Sequence, residues 1–390
     1  MKKYSLATTT WDNKEIEAIH RVIDSDFYSM GKEVKAFEEE FAKLFGSKYA
    51  IMVNSGSSAN LIAVGALMFS KKYNLQAGDE VIVPAVSWAT TYTPLQQYGL
   101  KLKFVDIDLD TLNLDLDEVE KAIGEKTKAI FAVNLLGNPN DFDRLLDICE
   151  KNNLILIEDN CESMGATYNN KQAGTFGVMG TFSTFFSHHI ATMEGGVVVT
   201  DDEELRDILL CLRAHGWTRN LPDDTQLYTK NEDDFYEMFN FILPGYNLRP
   251  LEMEAAIGRE QLKKLKMIIE NRQVNGKYFE DKFKNLDGIR IQKTIQNSSY
   301  FGFSIIIDKP GVERKNVLSK LRENGVEVRP IVAGNFTKNQ VIKYFDYEII
   351  GDLNNANKLH DNGFFIGNHH YDVKSELDKI YNILEECLNK

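Results

Sequence analysis

The strongest constraint on the fold is a repeated alternation of short, β-rich runs with longer stretches able to form crossover helices. Tyr49-Ala-Ile-Met-Val53 is followed by further apolar runs at 80–84, 102–106, 128–133 and 154–158. β-Branched and aromatic residues favour extended backbone, and parallel strands need a connection of about a dozen residues or more, usually a helix. The pattern therefore predicts an α/β fold built on a large, mostly parallel sheet. Ligands of such sheets gather beyond the carboxyl ends of the strands. The residues that follow each run are the first candidates for function.

After Val53 come Asn54-Ser-Gly-Ser-Ser-Ala-Asn60 and an apolar helix from Leu61 to Phe69. A helix start of this kind points free N–H groups and a positive dipole end outward, with hydroxyls from Ser57 and Ser58, and suits a phosphate. A plain serine-capped helix fits the segment equally well. Trp88 follows the 80–84 run and Asp159 follows the 154–158 run. Singly, each fits a structural place as well as a functional one, Trp88 in the core and Asp159 as a helix cap; together with the serines they mark one prospective site.

The stretch 181–200 has two apolar runs, 181–186 and 197–200, that favour strands. Between them lie His188, His189 and the turn Glu194-Gly-Gly196, so the histidines are placed on a loop, either for catalysis or as satisfied structural groups. Arg213-Ala-His-Gly-Trp-Thr-Arg219 crowds cationic and titratable side chains around a glycine and reads as an anion site. Amphipathic helices are expected at 14–24, with Ile16, Ile19, Val22 and Ile23 inward, and at 33–45, with Val34, Phe37, Phe41 and Leu44 inward. A helix at 251–264 and a long bridging helix at 265–285 lead to a small α+β unit with strands at 286–292, 301–308 and 326–332 and helices at 311–325 and 374–388. The expected division is thus a large domain over 1–264 and the bridging helix with a small domain over 265–390.

The net charge of −13 and the absence of any Lys/Arg run make nucleic acid and anionic membranes poor partners. Cys149, Cys161, Cys211 and Cys387 are scattered, with no metal-ligand or disulfide-framework spacing, which fits a reduced, cytoplasmic setting. The N-terminus lacks the apolar core of a signal peptide and no apolar run approaches membrane-spanning length, so a soluble protein is expected.

Taken in order, Asn54–Asn60, Pro84-Ala-Val-Ser-Trp88, Glu158-Asp-Asn-Cys-Glu-Ser-Met-Gly165, the 181–196 loop and Gly245-Tyr-Asn-Leu-Arg249 resemble the fold-type-I pyridoxal-phosphate (PLP) enzymes of the aspartate-aminotransferase type. The resemblance is to the nucleotide-sugar aminotransferase and dehydratase family and covers nearly the whole chain. It implies that Asp159 pairs with the pyridine nitrogen, that Trp88 stacks on the ring, and that Gly56, Ser57 and Ser183 hold the phosphate. It also implies that Asn247 reaches the phosphate of a neighbouring subunit, making a homodimer with sites at the interface. Glu162 stands near the ring hydroxyl, where aminotransferases of the family usually have Gln.

One position departs from the family pattern. The Schiff-base lysine is expected six residues before the Glu of Glu-Gly-Gly; counting back from Glu194 gives His188, and no lysine lies between Lys171 and Lys230. Imidazole forms no stable imine, but it carries protons well near neutral pH. By resemblance this replacement marks the sugar 3-dehydratases, which work with PLP and pyridoxamine phosphate (PMP). One kind uses an iron–sulfur cluster on a CDP-sugar. The other, without a cluster, acts on a GDP-linked 4-keto-6-deoxy sugar and is regenerated by L-glutamate. No cysteine lies between Cys211 and Cys387, which argues against a cluster or other metal, and the phrases Arg213–Pro222 and Leu243–Glu252 resemble the second kind. His188 is then the proton carrier, with His189 a structural neighbour. His215 and Arg219 are expected at the substrate, and Arg329 at the glutamate carboxylate or in a surface ion pair. A sugar aminotransferase, a CDP-sugar dehydratase and a catalytically inactive PLP-binding protein are the alternatives.

Overall fold

In the computed structural model, which describes residues 3–389, the alternating runs form one eight-stranded sheet. Met1, Lys2 and Lys390, the ends of the expected division, lie outside the described residues. Across the sheet the strands are Tyr49–Val53, Gly196–Thr200, Met179–Ser183, Ile155–Asp159, Thr127–Val133, Glu80–Pro84, Lys101–Val105 and Tyr347–Ile349. Gly196–Thr200 runs antiparallel to both its neighbours, and every other adjacent pair is parallel. Most of these strands are buried along their length, as expected when helices cover both faces. The edge strand Tyr347–Ile349 is an addition that the sequence pattern did not announce.

The helix Gly56–Phe69 is apolar on nearly all sides and sits within the core beside the sheet. Ser55 caps it, its Oγ accepting from the Ser58 N–H at 3.1 Å. The helices expected at 251–264 and 265–285 are one continuous helix, Glu252–Phe283, because no Pro or cap interrupts the pattern. The small unit pairs Ile289–Ile291 with Gly302–Ile307 and then Gly363–Gly367, all antiparallel. The run expected as a strand at 326–332 makes only isolated bridges, Val326 with Tyr4 and Arg329 with Phe365, and Gly363–Gly367 takes its place in the sheet. This unit has its own core, including Phe283, Phe303, Ile305, Phe364 and Leu377.

Two helix faces differ from expectation. In Asn13–Asp24 the buried residues are Glu15, Ala18 and Val22, while Ile16 and Ile23 are exposed. Glu15 can be buried because Gln261 Nε2 donates to it at 2.7 Å and Lys264 Nζ pairs with it at 2.7 Å. In Lys32–Phe45, Val34, Phe37 and Phe41 are buried and Leu44 is exposed. Among the described residues no helix is long and apolar enough to cross a membrane.

Lys32–Phe45 lacks a capping side chain of its own at Gly31. The buried carboxylate of Glu252, at the start of the long helix, does that work by accepting the N–H groups of Gly31, Glu33 and Val34. Glu252→Ala leaves three helix-start donors unpaired in a buried place. It should lower stability by about 2–3 kcal/mol, measured by urea unfolding.

Candidate active site

The carboxyl ends of the parallel strands bring the helix start after Val53, Asp159 and Ser183 together. A Cβ built on Gly56 would lie 2.6 Å from Ser183 Cβ and 3.1 Å from Cys161 Sγ, so only glycine lets the helix start approach the strand end this closely. The N–H groups at Gly56 and Ser57 and the hydroxyl of Ser183 thus share one cradle, suited to a phosphate. Ser57 Oγ donates to Thr90 Oγ1 at 3.2 Å, tying the cradle to the helix that starts after Trp88. Trp88 is 59% exposed, which excludes the core reading and leaves an indole face open to a planar ring.

Asp159 is 6% exposed. Its Oδ2 accepts from Asn60 Nδ2 at 2.9 Å and Thr91 Oγ1 at 2.8 Å, and its Oδ1 from the Cys161 N–H at 3.2 Å. Asn60 is fully committed: its other Nδ2 hydrogen goes to Thr90 O, and its Oδ1 accepts from Thr181 Oγ1 at 2.6 Å. Because the Thr91 hydroxyl donates to Asp159, the 2.7 Å contact with Ser87 must have Ser87 as donor. Every described partner of this carboxylate is neutral. A buried carboxylate held by neutral dipoles and lacking a protein cation fits a protonated pyridine nitrogen, so the residues present suit the expected cofactor.

Glu162 is half-buried and, among the described residues, accepts from the Leu136 N–H alone, at 3.1 Å. Desolvation pushes its carboxyl up to about 7 against that hydrogen bond, with the charge of Asp159 adding to the effect.

The strand that the sequence extends to 186 ends at Ser183, leaving Phe185 and Phe186 exposed. The loop beyond is closed on itself. Thr184 N–H donates to Gly195 O at 2.9 Å, Thr192 N–H to Thr184 O at 2.8 Å, and the two threonine hydroxyls meet at 2.6 Å. Gly195 has φ +155°, and a Cβ there would meet those hydroxyls at 2.4 and 2.5 Å. The closed loop fixes His188, whose N–H donates to Phe185 O at 2.9 Å and whose ring centroid lies 5.2 Å from that of Phe301. Its Nδ1 is buried without a hydrogen bond. Burial, with the guanidinium of Arg272 adding to it, lowers its pKa to about 4, so the imidazole is neutral and ready to accept a proton. His189 is fully buried and donates from Nε2 to Ser299 O at 3.1 Å, a structural bond.

The remaining candidates lie apart from this group. His215, Arg219 and Asn247 are exposed on a neighbouring strip, where Ala214 and Asn247 bridge. Asn247 Oδ1 accepts from Arg249 Nε at 3.0 Å. His215 has φ +66°, a conformation uncommon outside glycine, and is held there by its N–H to Tyr246 O. Arg219 stands 5.1 Å over the Trp217 ring, beside a cleft lined by Leu221, Tyr228 and Lys230. Arg329 is exposed on the small unit, where its backbone bridges Phe365 and its charge acts on Glu327, the ion-pair partner of Lys3. Asn60, Thr90, Thr91 and Thr181 were missed as site residues; their signal was only their place beside Ser57, Trp88 and Ser183.

A carboxyl whose pKa is higher folded than unfolded loses folding stability as pH rises from its ordinary value of 4.5 toward 7. Glu162→Gln keeps the acceptor for Leu136 and removes that loss. Without added cofactor the variant should match the parent at pH 4 and exceed it by roughly 1–2 kcal/mol at pH 8, read by chemical unfolding at both pH values.

Comparison with known proteins agrees with this geometry. GDP-4-keto-6-deoxy-D-mannose 3-dehydratase of Escherichia coli O55:H7 (strain CB9615 / EPEC) is 57% identical over 388 residues, covering 99% of this chain and 100% of the relative. Two crystal structures of GDP-4-keto-6-deoxymannose-3-dehydratase each match with TM-score 0.96 at 57% identity, covering 98% of this chain and 100% of theirs. One holds a trapped PLP-glutamate geminal diamine, and the other is an H188N mutant with bound GDP-perosamine. The fold is accordingly that of the fold-type-I PLP enzymes. The sequence model of the DegT/DnrJ/EryC1/StrS aminotransferase family matches residues 9–385, and the chain belongs to that family.

Proposed function

We propose that this protein removes the C3 hydroxyl from a GDP-linked 4-keto-6-deoxy sugar, giving the 3,6-dideoxy ketone, with PMP as working cofactor and L-glutamate regenerating it. The observation that carries this reading is His188: a neutral imidazole stands at the loop position where a lysine would bind the cofactor, in a chain whose Asp159 is a buried carboxylate with neutral described partners. The full-length similarity to enzymes named for this reaction supports it. Atoms balance: the sugar loses one oxygen, glutamate leaves as its 2-oxo acid, and nitrogen leaves as ammonia.

Gly56, Ser57 and Ser183 hold the cofactor phosphate, Trp88 covers the ring, Asp159 keeps the ring nitrogen protonated, and Glu162 lies at the ring hydroxyl. When bound, the cofactor supplies an amine for the C4 ketone and an electron-accepting ring. His188 accepts a proton at an imidazole nitrogen and, as imidazolium, returns it to the departing C3 hydroxyl, a poor leaving group unaided. Burial makes that imidazolium a stronger acid than a solvated one, which favours the second transfer. Asp159 stabilises the charge through a fixed hydrogen-bond set that needs no rearrangement.

His215 and Arg219 contact the nucleotide sugar, Arg219 through its planar fork on phosphate oxygens. Arg329 receives the glutamate carboxylate. In this reading residues 1–264 form the cofactor domain and 265–390 the smaller one. Asn247 is donated to the phosphate of a second copy in a homodimer, which its exposed position and the exposed Phe27, Tyr28 and Leu251 support. A cytoplasmic setting suits the buried, unbridged thiols of Cys149 and Cys211.

Incubation with PLP, glutamate and the GDP-linked keto sugar should give ammonia and a sugar nucleotide one oxygen lighter, read by mass spectrometry. An amino sugar without ammonia would make the protein an aminotransferase, turnover of only a CDP-linked sugar would move the specificity, and no product would leave a binding protein. His188→Asn should lower turnover by about 10²–10⁴-fold while cofactor absorbance on the protein persists; parent-like turnover would remove His188 as the proton carrier.

A further inference from the structure

Arg272 lies within the Glu252–Phe283 helix and is 5% exposed. Its described hydrogen bonds go to carbonyl oxygens alone: Nη1 donates to Tyr300 O at 3.3 Å and Phe301 O at 3.1 Å, and Nε has no partner. A buried guanidinium with no carboxylate to pair with is expensive to keep for packing alone.

The turn it grips is tied on every side. His189 Nε2 donates to Ser299 O at 3.1 Å, and Asn368 Nδ2 donates to Tyr300 O at 3.0 Å. The N–H groups of Ser299 and Phe301 donate to Gly137 O at 2.8 Å and Leu136 O at 3.0 Å. Leu136 in turn donates its own N–H to Glu162. Tyr300 has φ +45°, and a Cβ on Gly137 would meet Tyr300 N at 2.4 Å, so the turn has little room to relax. Phe301, held by these bonds, sets its ring 5.2 Å from that of His188 and 5.8 Å from that of His189.

We propose that Arg272 is a positioning residue for His188: it clamps the 299–301 turn whose phenylalanine walls the imidazole, and its guanidinium, without a carboxylate partner among the described residues, adds positive charge to the imidazole's surroundings. The inference rests on His188 being the proton carrier. The titratable and charged groups around the imidazole are His189 on its own loop and Arg272 from the helix; Tyr4, His369 and His370 share the guanidinium's neighbourhood. Burial is the larger cause of His188's low proton affinity, and the Arg272 charge works in the same direction. The clamp thus fixes the ring's place while the charge favours its proton-accepting form and makes the protonated form quick to give its proton up.

The test is an NMR titration of the full chain with labelled histidines, His188 being assigned by its loss in His188→Asn. In Arg272→Met, His188 should take up its proton at a pH roughly one unit higher than in the parent. A folded Arg272→Met in which His188 titrates as in the parent overturns the charge role. Arg272→Lys keeps the charge but loses the planar fork: kcat on the keto sugar should fall roughly tenfold or more with little change in KM. Parent-like kcat in Arg272→Lys overturns the clamp, and this variant decides the matter if Arg272→Met does not fold. If the parent itself gives no deoxy product, the dehydratase reading fails, yet the titration still reports whether Arg272 governs His188.

Discussion

The site depends on one buried carboxylate. Asp159 is removed from water at the end of a central strand, and its oxygens are held by an amide, a hydroxyl and a backbone N–H. Neutral donors orient the carboxylate without pairing it to a cation, which is what the proposed partnership with a protonated cofactor nitrogen requires. Two of these donors are fixed in turn: Asn60 by Thr181 from the adjacent strand, Thr91 by Ser87 in the turn before its own helix. Strand order, the buried start of the Gly56–Phe69 helix and the Trp88 turn are all read out at this one group. The same convergence explains why glycine stands at 56, where helix and strand would otherwise collide.

Against that conventional pocket, the loop at 184–195 changes the chemistry. A lysine there would hold the cofactor covalently; an imidazole forms no stable imine, and in the proposed mechanism it moves protons. The threonine pair and Gly195 fix the loop from inside, and Phe301 bounds the histidine from the small unit. The imidazole is therefore set by contacts from the 184–195 loop and from Phe301, so the proposed proton transfer depends on both.

Much of this was legible in the residues. Strand runs buried on both faces are continuous and apolar, so the parallel sheet and the turns after Val53, Pro84 and Glu158 could be read directly, whereas the count from Glu194 to His188 came from the family resemblance. What escaped depended on long-range partners. Ile16 and Ile23 look inward by periodicity, yet Glu15 takes the buried face because Gln261 and Lys264 satisfy it. The strand Gly363–Gly367 contains two glycines and pairs only because Gly302–Ile307 supplies a partner, whereas 326–332 has the better composition and no ladder to join. Asn60 and Thr91 carry no signal beyond their place beside Ser57 and Trp88, and Arg272 carries none, since their partners are brought to them by the fold.

The central claim is that no lysine holds the cofactor and that His188 stands in its place. Protein loaded with PLP, reduced with borohydride and mapped by peptide mass spectrometry tests this most directly. The account predicts that the cofactor leaves on denaturation and that no peptide carries it; a lysine peptide bearing the reduced cofactor would contradict it.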